Sequence, residues 1–273
     1  MTKRNGLAGG ADTLTVGNVV TAGVRIYRDH FKAYYIQALL AYVWVIVPVY
    51  GWAKSIAIQG AIGRLAFHEV IEQPETVPEA NLRVKPRLWN FLLANILIGL
   101  IFFGVILIPA IIMIILTGMI GVSASQGNPG LALVLGLVLI ILILVFFFGL
   151  VWFVSRLAFV DLAIAIEAIT DPSAAISRSW KLTQGYIVRL QIIFFVAFLI
   201  TLPTAITGNL GTIILGEDNP LAGLIDLILT VFVGALLIPF WQSIKAVIFY
   251  DLKSRKEGFE LSLTDATETP ETF

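Results

Sequence analysis

The chain has no cysteine, two histidines, and charges at only 13% of its 273 positions, about half the share usual in soluble domains. The missing cysteine excludes a disulfide framework and a thiolate metal site. The histidines, His30 and His68, belong to no His-Glu-x-x-His pair, and there is neither a phosphate-binding glycine loop nor a serine nucleophile elbow. No catalytic residue, metal or cofactor is assigned, and the expectation is a non-enzymatic protein. Lys and Arg number 18, as do Asp and Glu, so no net positive charge points to nucleic acid.

Hydrocarbon is what the chain has in abundance. It is 58% hydrophobic, and several apolar runs exceed the roughly 18 residues that mark a membrane span. The fold expected is all-α and integral to a membrane, multi-pass, in an inner (plasma or thylakoid) membrane. The polar start, Met1 to Asp12, precedes a first apolar run that begins only near Ala33. A cleavable signal peptide would place its apolar core nearer the start.

Six apolar stretches follow. Ala33 to Val47 ends at Pro48, and Trp52 to Phe67 returns. Leu88 to Val122 carries Pro109, Leu131 to Phe159 follows a Gly/Pro turn, Tyr186 to Thr207 carries Pro203, and Leu221 to Leu252 carries Pro239. The charges choose between five and six spans. With six, every Lys and Arg except Lys54 falls on the side of the N-terminus or at a helix end facing it. The positive-inside rule then puts both termini in the cytoplasm. The organisation predicted is one domain, 16–252, of three antiparallel hairpins at 33–70, 88–162 and 186–252. Residues 1–15 read as a loose lead and 253–273 as a disordered cytoplasmic tail.

Two amphipathic segments precede hairpins one and three. In 16–32, Val16, Val19, Val20, Gly23, Val24, Tyr27 and Phe31 share one face and Arg25, Arg28 and Lys32 the other. In 172–185, Asp171-Pro172 is a helix start, with Arg178 and Lys181 on the polar face and Trp180 opposite. Both read as helices lying in the membrane interface. The second is either a docking helix for anionic lipid or a partner, or an anchor that sets the depth of the fifth span.

A short pattern repeats at the cytoplasmic end of each returning helix. Arg64-Leu-Ala-Phe67-His-Glu69 matches Arg156-Leu-Ala-Phe159-Val-Asp161, and Phe249-Tyr-Asp251 keeps the aromatic and the acid. The acids are expected either to form a gate or to make salt bridges between hairpins. In the second helix Ala53, Ala57 and Ala61, with Gly60 beside them, form a small-residue stripe that lets helices approach closely.

Lengths single out Lys54. From Tyr50 to Phe67 an α-helix covers roughly 26 Å, whereas Leu131–Phe159 and Leu221–Phe249 each cover roughly 42 Å. The turn of hairpin one should therefore lie in a recess of the outer face, where Tyr50 and Trp52 flank Lys54. A cation at that depth needs water, a partner or an anion. Lys54 is expected either to hold a lipid phosphate or to snorkel into water. The function expected is binding of membrane lipids or another membrane protein. The alternative is transport of a small or lipid-like solute, with Asn95, Thr117, Thr201, Thr204 and Thr230 as the thin set of polar candidates besides Lys54.

Asp171-Pro-Ser173 through Ser179-Trp-Lys-Leu-Thr-Gln-Gly185 resembles a segment of a bacterial family that includes the membrane domain fused to some glycerophosphodiester phosphodiesterases. The end, Phe249-Tyr-Asp-Leu-Lys-Ser-Arg-Lys-Glu-Gly-Phe-Glu-Leu261, resembles the close of the same domain, and Pro48-Val-Tyr-Gly-Trp-Ala-Lys54 resembles stand-alone cyanobacterial members. The resemblance implies a six-helix membrane domain. It does not imply the phosphodiesterase reaction, because the soluble catalytic barrel is missing.

Overall fold

A computed structural model describes residues 15–268. The described residues are helical almost throughout and hold no strand. Thr15 caps the first helix, α1 (Val16–Asp29), and His30 separates it from α2 (Phe31–Val45). The turn into α3 (Tyr50–Val70) is tight: Val49 takes a positive φ of 59°, and a Cβ on Gly51 would sit 2.0 Å from the Trp44 carbonyl oxygen, so only glycine fits. Trp52 Nε1 donates to the Val45 carbonyl at 3.0 Å and closes the turn.

A capping box at Thr76 and Glu79 starts α4 (Val77–Val84). A single 3-10 turn leads into α5 (Leu88–Ser125), which continues through Pro109, and Asn128 caps α6 (Pro129–Leu157). The chain breaks at Ala158-Phe159, restarts as α7 (Val160–Ile166), then forms α8 (Pro172–Thr183) and α9 (Ile187–Thr201). A 3-10 stretch (Leu202–Asn209) and α10 (Leu210–Leu215) double back onto α11 (Pro220–Glu268), whose Asp226 accepts from the Gly211 and Thr212 amides and caps α10. The tail expected to be disordered instead continues α11 to Glu268. Residues 1–14 and 269–273 lie outside the described residues.

Among the described residues four helical segments are long and apolar enough to cross a membrane: those containing α5, α6, α9–α10 and α11. The protein is thus all-α with the marks of a multi-pass membrane protein. α2 and α3 are not among the four. α2 has 15 residues, roughly 22 Å of helix, and Tyr42 near its end abuts Gly234, well below the start of α11 at Pro220.

Packing concentrates at one end. α3 lies at the centre with α2, α4, α5, α7 and α11 around it. Glycines set the closest approaches: a Cβ on Gly60 would meet Phe91 at 2.6 Å, on Gly63 Leu162 at 2.4 Å, and on Gly23 Ile244 at 2.8 Å. The Ala53–Ala57–Ala61 stripe is buried against Val84, Leu88 and Phe91, as close helix approach in lipid requires. The outer parts of α5, α6 and α11 show their apolar side chains all round; Ile114, Phe148 and Leu227 are more than half exposed.

The amphipathic segments sit differently from the interfacial helices expected. The apolar edge of α1, Val19, Val20 and Gly23, is buried in the protein core with Ile244 of α11. α8 buries Ala175, Ser179, Leu182 and Thr183. An amphipathic face meets the same need against a protein core as against lipid.

Candidate functional site

The repeated residues converge. Phe249 is fully buried, with Phe67 and Phe159 at ring-centre distances of 5.8 and 6.3 Å. Each acid of the repeat pairs with a basic residue outside its own helix, and Asp251 also with Arg255 one turn on in α11. Glu69 meets His30 at 3.2 Å, Asp161 meets Lys245 at 2.5 Å, and Asp251 meets Arg189 at 3.1 Å and Arg255 at 3.0 Å. Arg64 and Arg156 do not partner these acids. Arg64 grips both oxygens of Glu75 (2.6 and 2.7 Å) and donates to the Ala165 carbonyl. Arg156 lies 5.1 Å from the ring centres of both Trp152 and Trp180 and donates to the Trp180 carbonyl. The repeat thus marks where α3, α6–α7 and α11 are clamped together.

α8 is the clamp over the α6–α7 break. Ser179 Oγ donates to the Arg156 carbonyl at 2.7 Å and accepts from the Phe159 amide, supplying partners that the interrupted helix lacks. Arg178 spans Glu167 and Glu257 at 2.6 and 2.5 Å, and Lys253 joins Glu167 at 3.2 Å. Lys256 donates to the carbonyl of Lys181, whose side chain is exposed. Burial works against the charge of Glu167 and of Glu75. Arg178 with Lys253 in one case, and Arg64 with His68 and Arg83 in the other, nevertheless hold these carboxyls below their usual range.

Two cavities of similar size flank α3. The first, about 440 Å³, lies between α2, α3 and α4 and contains Lys54. Lys85 lines it too, with Gln37 and Asn81 joined by a 3.2 Å hydrogen bond and Tyr50 at one edge. No Asp or Glu lines it. Lys54 Nζ stands 3.6 Å from the Trp44 ring centre, a cation–π contact. Lys54 thus borders a recess, but the wall is α4 rather than the turn alone. Trp52 lies outside it, half-exposed and bonded to its own turn. The sequence hides Lys85's part because 31 residue positions separate it from Lys54, and only the fold of α4 back along α3 joins them.

The second cavity, about 390 Å³, lies between α3, α5, the α6–α7 junction and α11. Asp161 and Lys245 line it with Gln59, Asn95 and Gln242, against walls that include Ile98, Phe102 and Val154. Asp161 Oδ2 accepts from Lys245 and from Gln242 Nε2 at 2.8 Å, and its Oδ1 accepts from the Leu162 amide. Asn95 reaches this cleft, but the other polar candidates for a pathway do not. Thr117, Thr201 and Thr204 donate to carbonyls three or four residues earlier in the chain. Gln59 shows in the sequence only as a polar interruption of an apolar stretch and Gln242 not at all, because single amides in long helices carry no pattern.

No family model, no curated protein and no solved structure matches this chain. The resemblance of 171–185 and 249–261 to the phosphodiesterase-linked membrane domain rests on those residues alone.

Proposed function

We propose that this is a non-enzymatic membrane protein that binds anionic lipid, with the headgroup held between α2, α3 and α4. The observation that carries this reading is the pairing of Lys54 and Lys85 in one recess without a lining carboxylate. Two ammonium groups that line one recess repel each other, and an anion bound between them relieves that repulsion. Leu40 on α2 and Leu82 on α4 are exposed beside the recess they line, and with Trp89 at the start of α5 they offer apolar surface to the chains of a lipid whose phosphate sits at the lysines.

Both termini are placed in the cytoplasm, and the three hairpins enter from that side. Hairpins two and three cross. Hairpin one turns back within the bilayer, so the recess belongs to the cytoplasmic leaflet and not to an outer-face depression. The exposed turn supports this: Ile46 is 82% exposed, and Val43, Val45, Val47 and Val49 are exposed with it. Such a surface is costly in water and free of cost in hydrocarbon.

The experiment is lipid retention after reconstitution into phosphatidylcholine discs with and without phosphatidylglycerol, read by native mass spectrometry. Lys54→Met with Lys85→Met is expected to strip phosphatidylglycerol while the thermal transition stays in place. Displacement by inorganic phosphate would assign the recess to free phosphate instead. Unchanged lipid content overturns the reading. For topology, single cysteines at Ser125 and Asn209 should label from outside with an impermeant thiol reagent, those at Glu79 and Ser254 only after permeabilisation, and one at Val47 from neither side. Labelling of Glu79 in intact cells would defeat the arrangement.

A further inference from the structure

We infer that the cleft holding Asp161 and Lys245 is a second binding site, for an amphiphile with an uncharged, hydroxyl-rich headgroup, such as a glycosylated diacylglycerol. Its chemistry differs from that of the lysine recess. The lysine recess has two positive charges and no negative one. In the cleft the charges are one of each, 2.5 Å apart, so a phosphate approaching Lys245 also approaches Asp161. A free cation meets the converse problem. Net charge therefore selects against both ions and leaves polar, neutral groups.

The hydrogen-bonding inventory points the same way. Asp161 is engaged through both oxygens. Lys245 keeps two further N–H groups after its bond to Asp161. Asn95 spends its amide nitrogen on the Phe91 carbonyl and keeps its oxygen. Gln59 makes no side-chain hydrogen bond among the described residues, so both its donor and acceptor ends are open to the cleft it lines. Donors and acceptors thus border one cavity, and a hydroxyl, which both donates and accepts, satisfies either. A cavity of about 390 Å³ lies within the size range of small-ligand sites.

The walls supply the other half of the ligand. Ile98 and Phe102 on α5 and Val154 on α6 line the cleft and are only partly covered. Beyond them both helices present exposed hydrocarbon, so a chain anchored at the polar floor continues into the bilayer without crossing a polar barrier. A mostly buried charged pair is costly to keep, and where one persists it marks a site or a structural lock. Here it does both: Asp161 ties α7 to α11, and the amides opposite it have no such duty.

That division makes the test. Gln59→Leu with Asn95→Leu leaves the Asp161–Lys245 lock intact and removes the free amide groups. In phosphatidylcholine discs containing monoglucosyl-diacylglycerol, native mass spectrometry should show glycolipid retention falling about tenfold, the equivalent of one to two net hydrogen bonds. Retention of phosphatidylglycerol should not change. Val154→Trp, from a side chain that is 48% exposed, narrows the apolar wall without touching the floor and should lower glycolipid retention as well. The Lys54→Met, Lys85→Met variant should keep its glycolipid, so this site and the anionic one fail separately. Undiminished glycolipid in both cleft variants, or loss of phosphatidylglycerol in its place, overturns the inference.

Discussion

α3 and α6 invert the usual rule of burial. α3 carries Lys54, Gln59, Arg64, His68 and Glu69, yet most of its residues are buried. α6 is apolar from Leu131 to Val154, yet only Ser155 and Leu157 are buried. In water the assignments would be reversed. Where the solvent is hydrocarbon, apolar surface gains nothing by leaving it, and close packing and polar partnership decide what goes inside. α3 has both: small residues at Ala53, Ala57, Gly60, Ala61 and Gly63, and charged groups that only protein can satisfy. α6 has neither over most of its length. The molecule is thus a packed, ion-paired block at the basic end, with apolar spans leaving it.

The sharpest way to break this contrast is to unpair the block. Arg64 is 6% exposed and holds Glu75 through two bonds while donating to Ala165. Arg64→Met leaves the Glu75 carboxylate only its longer contacts to His68 and Arg83, at 3.4 and 3.3 Å, and breaking one side of a buried pair costs up to about 3–5 kcal/mol. Thermal unfolding in detergent should shift far downward, whereas Phe148→Ala on α6, whose side chain faces outward, should scarcely move it. Equal effects would mean that the spans are as tightly packed as the block.

Next in size are the glycines. Gly63→Ala places a methyl where Leu162 and the Gln242 oxygen already are, at 2.4 and 2.8 Å. Overpacking of this kind costs about 1–3 kcal/mol. Gly104→Ala on α5 has nothing within 4 Å and should be neutral or stabilising by up to about 1 kcal/mol through helix propensity. Melting temperatures of the two variants should diverge in opposite directions.

The block and the spans were not equally legible in the sequence. Hydropathy was enough for the all-α class and the long apolar helices. The repeated Arg-Leu-Ala-Phe pattern was visible, but not that its phenylalanines meet at Phe249, because nothing local specifies which hairpins touch. Amphipathicity located α1 and α8 but could not tell a face against lipid from a face against protein. Lys54 stood out as the one cation off the basic side. Lys85, hidden in a basic loop, became its neighbour only through the turn at Thr76. Of the amides of the second cleft, Asn95 stood out as an intramembrane polar residue, but nothing local joined it to Gln59 and Gln242.

Acid should loosen the block and leave the spans alone. Glu75 and Glu167 titrate below their usual value in the folded protein, so the stability they contribute is complete above the unfolded carboxylate value near 4.5 and is lost as the pH falls through the lower folded value. Thermal stability should decline below about pH 4.5. Glu167→Gln should flatten part of that decline. A pH profile unchanged by the substitution would remove this pair from the account.

The smallest effect tests the same division at two helix caps. Thr76 Oγ1 accepts from the Glu79 amide at 3.5 Å while Glu79 accepts from the Thr76 amide at 2.8 Å, and together they start α4. Asn128 Oδ1 accepts from Leu131 at 3.3 Å and starts α6. Replacing either cap by alanine should cost about 0.5–2 kcal/mol, nearer the low end for such exposed and partly stretched bonds. The two losses should nonetheless read out differently. α4 is the wall that carries Asn81 and leads to Lys85, so a frayed first turn loosens the lysine recess and should lower phosphatidylglycerol retention along with stability. α6 begins far from both cavities, so Asn128→Ala should lower stability alone. If Thr76→Ala leaves lipid retention at the wild-type level while the melting temperature drops, α4 is a cover for α3 and not a wall of the site, and the anion must be sought at Lys54 and Trp44 without it.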